Sequence, residues 1–184
     1  IGRYVVNAID RVGNGPWYDR LGRTVALTKE DLLNPRPKNC DEDIVNDLPN
    51  EDGVPNHRPD PTKPQVDNHL TVTGTGTNGK LYTASDASTC NDWTSTSRDG
   101  GGPRAGLSWP RAGFGWGTFG SLNKTAMGGW GDFGIDNENW ISSWTLPGCE
   151  KGIELVEKGP PLPGEYFIGA GGGYGGFYCF ALNP

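Results

Sequence analysis

The sequence predicts an α+β domain of short antiparallel strands, few helices and long glycine- and tryptophan-rich loops, stapled by disulfides. Three observations carry that prediction. Apolar residues make up only 34% of the 184-residue chain, against 30 glycines and 15 prolines, and no long amphipathic helical period runs through its second half. Seven tryptophans, six tyrosines and six phenylalanines oppose a disordered reading, because disordered chains are poor in aromatics. Four cysteines without a CxxC spacing suit two disulfides better than a zinc site, which points to an oxidising compartment and so to a secreted, extracellular or cell-surface protein.

Residues 1–184 read as a single domain, long enough to bury a core. Starting at Ile1 rather than methionine, the chain reads as a processed product; it has no apolar run of about 18 residues that would predict a membrane span. Its formal charge of −6 argues against a nucleic-acid partner, since phosphate binding needs a basic footprint.

In chain order, Arg3–Ile9 has the β-branched and aromatic content of a strand. Trp17–Val25 reads as a hairpin with Gly22 near its tip and Val25-Ala26-Leu27 continuing the return. A short helix follows: Thr28 caps it, Glu30 and Asp31 occupy the first turn, Leu27 and Leu32 have the spacing of a hydrophobic staple, and Pro35 and Pro37 end it. Residues 35–67 form an acidic, proline-rich excursion with seven prolines, in which Cys40 is a natural anchor to the body of the domain. Most of the net charge sits there, with eight acids against three basic residues over 38–67. Leu70–Thr73 alternates as a strand with Leu70 and Val72 on one face, and Asn78-Gly79 signals a hairpin returning through Leu81-Tyr82-Thr83. Residues 99–134 are glycine-rich without an exact repeat. Ile153–Val156, Glu165–Ile168 and Phe177–Phe180 read as three short strands between glycine runs.

Trp17-Tyr18-Asp19 with Gly22 and Val25, Thr73-Gly74-Thr75 with Asn78-Gly79, Cys90 to Ser95, Trp109, Trp140 to Cys149 and Tyr178-Cys179-Phe180 together resemble the endostatin-like branch of the C-type-lectin-like fold, in its bacterial and extracellular relatives. The resemblance implies short antiparallel strands around a long structured loop, serving adhesion or ligand binding. It implies a Cys90–Cys149 bridge, and it sends Cys179 to a cysteine in an N-terminal helical region that this chain lacks. Cys40 then takes over as partner of Cys179, or Cys179 pairs with a separate polypeptide. Closing a loop of about 60 residues contributes roughly 4 kcal/mol, so the Cys90–Cys149 bridge would secure a segment poor in regular structure.

Several side chains are candidates for chemistry. Asp41-Glu42-Asp43, Asp47 and Glu51-Asp52 offer carboxylates to Ca²⁺, or form a solvated acidic loop. Asp136-Asn137-Glu138-Asn139 is the sharper candidate: Asp136 and Glu138 would hold calcium, and Asn137 and Asn139 would meet sugar hydroxyls. The bland alternative is an Asx turn. Trp116 and Trp130, flanked by glycines, are the candidates for exposed sugar-stacking rings, whereas Trp93, Trp140 and Trp144 are expected inside. No catalytic constellation is visible. His57 and His69 lack a triad context, the serines lack a nucleophile-elbow spacing, and the GxGxxG match at Gly171, Gly173 and Gly176 is followed by no helix. Asn123-Lys124-Thr125 is a glycosylation sequon.

The leading expectation is therefore a non-enzymatic extracellular binding or adhesion module, with a glycan or extracellular protein as partner. The alternative is a self-assembling subunit of a surface layer or filament, in which a strand-like N terminus completes a neighbour's sheet.

Overall fold

A computed structural model describes residues 5–34, 37, 39–44, 48–56, 60, 62–63, 66, 68, 70–83, 85–99, 101–107, 140–142, 144–156 and 161–182. They form a small α+β protein with short helical turns, two sheets and a disulfide.

The first element corrects the predicted strand. Ala8–Arg11 is a helical turn, α1, and Val5 and Val6 are exposed and outside any strand. Asn7 holds this turn, because its Nδ2 donates to Asp10 Oδ2 at 2.9 Å and its Oδ1 accepts from Leu81 N at 3.1 Å. Side-chain bonds of this kind compete with strand pairing.

The hairpin forms as predicted, with β1 (Trp17–Tyr18) antiparallel to β2 (Thr24–Ala26) and Gly22 in the turn at φ +80°. Asp19 organises that turn. Its Oδ1 accepts from Leu21 N and Arg23 N, both at 2.9 Å, and its Oδ2 meets Arg23 Nε at 2.7 Å. The helix α2 (Lys29–Leu32) also forms, capped by Thr28 Oγ1, which accepts from Asp31 N at 3.2 Å. Its expected staple does not close: Leu32 is buried and Leu27 is exposed.

The excursion is tied down more than its composition predicts. Asp41 N donates to Thr24 O at 2.8 Å, Ile44 is fully buried in the core, and Arg20 Nε holds Glu51 O at 3.0 Å. One buried isoleucine and a few backbone bonds supply the anchoring that seven prolines leave unprovided.

The main sheet has the order β5-β4-β3-β6, with β3 (Leu70–Thr73), β4 (Arg104–Leu107), β5 (Trp144–Thr145) and β6 (Gly176–Phe177). β3 pairs antiparallel with β4 and parallel with β6. All four residues of β3 are buried, so the expected one-sided strand is covered on both faces, as befits a central strand. Beyond it, Asn78-Gly79 turns the chain as predicted, although only the Thr75–Leu81 bridge forms. The three strands predicted after residue 150 reduce to isolated bridges, Glu150–Phe167, Glu154–Gly173 and Val66–Val156, plus the two residues of β6. The glycine runs between them supply no side chains with which to extend a ladder.

Between the sheets lies a core of Trp17, Val25, Ala26, Leu32, Ile44, Trp140 and Ile141, against which Cys40, Tyr178 and Phe180 pack. Trp140 is its keystone, 1% exposed, with Nε1 donating to Leu32 O at 2.9 Å at the end of α2. Gly106 of β4 lies directly against it, where any Cβ would overlap the carbonyl oxygens of Trp140 and Ile141 and the Tyr178 hydroxyl.

Candidate functional site

The Cys90–Cys149 bridge forms, with its Cα atoms 5.7 Å apart across 59 residues of sequence. Cys40 and Cys179, the other expected pair, are not joined. Alternation along the last segment gives the reason: Tyr178 and Phe180 turn toward the core that Cys40 packs on, so Cys179 between them is exposed on the other face.

Just after the 3₁₀ turn Asp86–Thr89, the bridge holds an unusual piece of backbone. The helical turn α3 (Cys90–Trp93) is left-handed throughout, with φ of 48°, 55°, 55° and 61° at four successive residues that are not glycine. Each such residue costs about 1–2 kcal/mol, so something must over-determine the turn. The disulfide fixes its first residue, Thr89 Oγ1 accepts from Asp92 N at 3.2 Å, and Cys90 O accepts from Thr94 N and Ser95 N. The consequence corrects another expectation: Trp93 is not inside but 45% exposed, its ring set edge-on to Phe177 with centroids 5.2 Å apart.

Phe177 stands at the margin of a cleft of about 1220 Å³ between the β1–β2 hairpin and the β3–β6 side of the main sheet. Buried Trp17, Leu70 and Trp140 line its depth, while Tyr18, Tyr174 and Phe177, 57%, 46% and 56% exposed, line its rim. Interleaved with the rings are Arg20, Asn50, Glu51, Asn56 and Asn68.

These polar groups share a pattern in which one end is fixed and the other is open. Asn50 Oδ1 accepts from Asp52 N and Val54 N, both at 3.0 Å, and its Nδ2 has no hydrogen bond among the described residues. Asn68 Oδ1 accepts from Tyr174 N at 2.6 Å, again leaving Nδ2. Asn56 does the reverse, donating Nδ2 to Leu48 O at 2.8 Å and leaving Oδ1. Arg20 uses Nε on Glu51 O and keeps its terminal nitrogens, and the Glu51 carboxylate has no bond among the described residues. Each of these amides is thus held at one end before any ligand arrives, which lowers the ordering cost of binding. Of the two carboxylates that line the cleft among the described residues, Asp19 is committed to Arg23 and its turn, with a side chain 1% exposed, so among the described residues no free pair is placed for acid–base work.

Among the described residues no group of three or more His, Cys, Asp or Glu is placed to hold a metal ion, and no helix is long and apolar enough to cross a membrane. Trp116, Trp130, Asp136, Asn137, Glu138 and Asn139 lie outside the described residues, as do Asp47, Asn123, His57, His69 and the side chain of Trp144. The sequence points to no site at Asn50, Asn56 or Asn68, because they lie in and just after an acidic, proline-rich segment whose carboxylates are the visible feature. The usable signal was their recurrence at Asn50, Asn56 and Asn68 beside few aliphatic residues. Comparisons of the chain with protein-family models, with curated proteins and with solved structures each return no match.

Proposed function

We propose that this protein is an extracellular carbohydrate-binding module of the C-type-lectin-like, endostatin-like kind, and that its ligand sits in the cleft between the hairpin and the main sheet. One observation carries the reading: half-committed amides stand beside half-exposed aromatic rings on the same walls. A pyranose has an apolar face that stacks on a ring and a hydroxylated edge that needs paired donors and acceptors. The open Nδ2 groups of Asn50 and Asn68, the Oδ1 of Asn56 and the Glu51 carboxylate supply both kinds. The disulfide supports an oxidising, extracellular setting, and the commitment of Asp19 to Arg23 favours binding without turnover.

A glycan array followed by calorimetry tests this. Binding is expected to weaken roughly tenfold or more in Tyr174→Ala and in Asn68→Ala, with the melting temperature of Tyr174→Ala nearly unchanged. A protein that binds no glycan sinks the reading. Running the array with and without calcium separates the cleft from the Asp136–Glu138 loop, since recognition through the cleft alone does not respond to a chelator. Self-assembly is the second reading, for which exposed Val5 and Val6 offer apolar surface. A monomeric mass at high concentration would remove it.

A further inference from the structure

We propose that the binding surface continues past the mouth of the cleft onto Trp93, so that the ligand is a linear, equatorially linked polysaccharide gripped along its length and not a single terminal sugar. This rests on the carbohydrate reading and narrows it to a ligand class.

Continuity is the first support. Phe177 lines the cleft, and Trp93 lies outside it, in edge-to-face contact with Phe177 at 5.2 Å. The ring surface of the rim therefore extends from Phe177 to Trp93. The second support is the state of Trp93 itself. The residue is 45% exposed, and its indole N–H makes no hydrogen bond among the described residues, so it offers apolar ring surface together with a donor. The third is the backbone that carries it. Four successive left-handed residues are retained under a disulfide, and burying the ring is not what they achieve. Such conformations persist at positions where presentation matters.

Size points the same way. A cleft of about 1220 Å³ exceeds the range of roughly 300–1,000 Å³ that holds a drug-sized ligand, leaving room for more than one sugar unit. A platform beyond the mouth is of use only to a ligand longer than the cleft. Equatorially linked pyranose chains are flat ribbons with exposed C–H faces, which suits rings placed in sequence.

The test is calorimetry with β-1,4-linked gluco- and N-acetylgluco-oligosaccharides from disaccharide to octasaccharide. For the unmodified protein, affinity should keep rising after the cleft is filled. Trp93→Ala should abolish that late rise, costing roughly tenfold at the octasaccharide and nothing at the disaccharide, and Trp93→Phe should restore most of it. Equal weakening at every length would assign Trp93 a merely structural role and overturn the inference, as would an octasaccharide affinity that ignores Trp93. In either case disaccharide binding sensitive to Tyr174→Ala would leave the cleft standing. If no oligosaccharide of the series binds, the inference falls, and a blank glycan array takes the carbohydrate reading with it.

Discussion

Two aromatic pairs in this protein have almost the same geometry and opposite circumstances. Trp140 and Tyr178 meet edge-to-face at 5.2 Å and 80°, and Trp93 and Phe177 meet edge-to-face at 5.2 Å and 85°. The first pair is a core. Trp140 is buried, its indole N–H is satisfied by Leu32 O, and the Tyr178 hydroxyl donates to Trp140 O. The second is a rim, with both rings about half exposed, the indole N–H without a hydrogen bond among the described residues, and left-handed backbone beneath it. Ring contact alone therefore does not say what a tryptophan is for. What separates the two is whether the polar handle of the ring has been provided for inside the fold.

Breaking the bridge is expected to have the largest effect, and an unequal one. Cys90→Ser with Cys149→Ser should cost about 4 kcal/mol by loop-closure entropy, read as a lower urea midpoint. It should also release α3 from its left-handed path, so octasaccharide affinity falls to the level of Trp93→Ala while disaccharide affinity in the folded protein is kept. Trp140→Phe comes next. It removes the bond to Leu32 O, strands that buried carbonyl and opens a small cavity, for a loss of about 3 kcal/mol in chemical denaturation. Because Trp140 also lines the cleft, any loss of disaccharide affinity in this variant should exceed its loss of length dependence.

The core pair was far more legible than the rim pair, and the reason is the range of the signals. The hairpin around Gly22, the Thr28 cap, the strand Leu70–Thr73 and the Asn78-Gly79 turn are set by residues within a few positions of one another, and each formed. Trp140 was expected inside and is. Trp93 was expected inside as well, because aromatic character predicts burial, and although Asn91 and Asp92 tolerate left-handed backbone, nothing local extends it to Cys90 and Trp93. The strand expected over Arg3–Ile9 is absent over its described residues 5–9 for a related reason, since Asn7 reaches Leu81, 74 residues away. Equally, the Cys40–Cys179 pairing depended on which face of the last segment Cys179 occupies, and that is fixed by Tyr178 and Phe180 packing inward. The cleft is the extreme case. Its amides come from the excursion and from Asn68 just after it, and its rings from stretches as far apart as Trp17 and Phe177.

A pH experiment sharpens the core side of the comparison. Tyr178 is partly buried as a residue, but its hydroxyl is inside, and that burial pushes its pKa well above the usual tyrosine value against a smaller lowering from Thr71. An unfolded tyrosine ionises near pH 10, whereas folded Tyr178 keeps its proton. Above that pH the folded state holds more protons than the unfolded one, so stability falls as pH rises, by about 1.4 kcal/mol per unit until the folded group ionises too. Tyr178→Phe should be less stable by about 1 kcal/mol at pH 7 through loss of the bond to Trp140 O. It lacks the alkaline penalty, so the two urea midpoints should converge near pH 11. A gap that stays constant from pH 7 to 11 would mean the hydroxyl is not buried.

The smallest expected effect tests the rim side and isolates the backbone from the ring. Trp93→Ala and Trp93→Gly remove the same contact with Phe177, so both should bind the octasaccharide equally weakly. They differ in what the left-handed position asks of them. At an ordinary position alanine is the more stable of the two, because glycine loses more conformational freedom on folding. At φ +61° the Cβ of alanine is penalised and glycine is not, so the order should reverse, with Trp93→Gly the more stable by about 1 kcal/mol in denaturant midpoints. If alanine matched or exceeded glycine, the turn would not be left-handed in solution and Trp93 would have no strained scaffold to explain. If the reversal is found, the natural tryptophan occupies a position where a residue without a side chain folds better than alanine does. Stability then cannot be what keeps a backbone-disfavoured ring at the surface, and contact with a ligand is the use left for it.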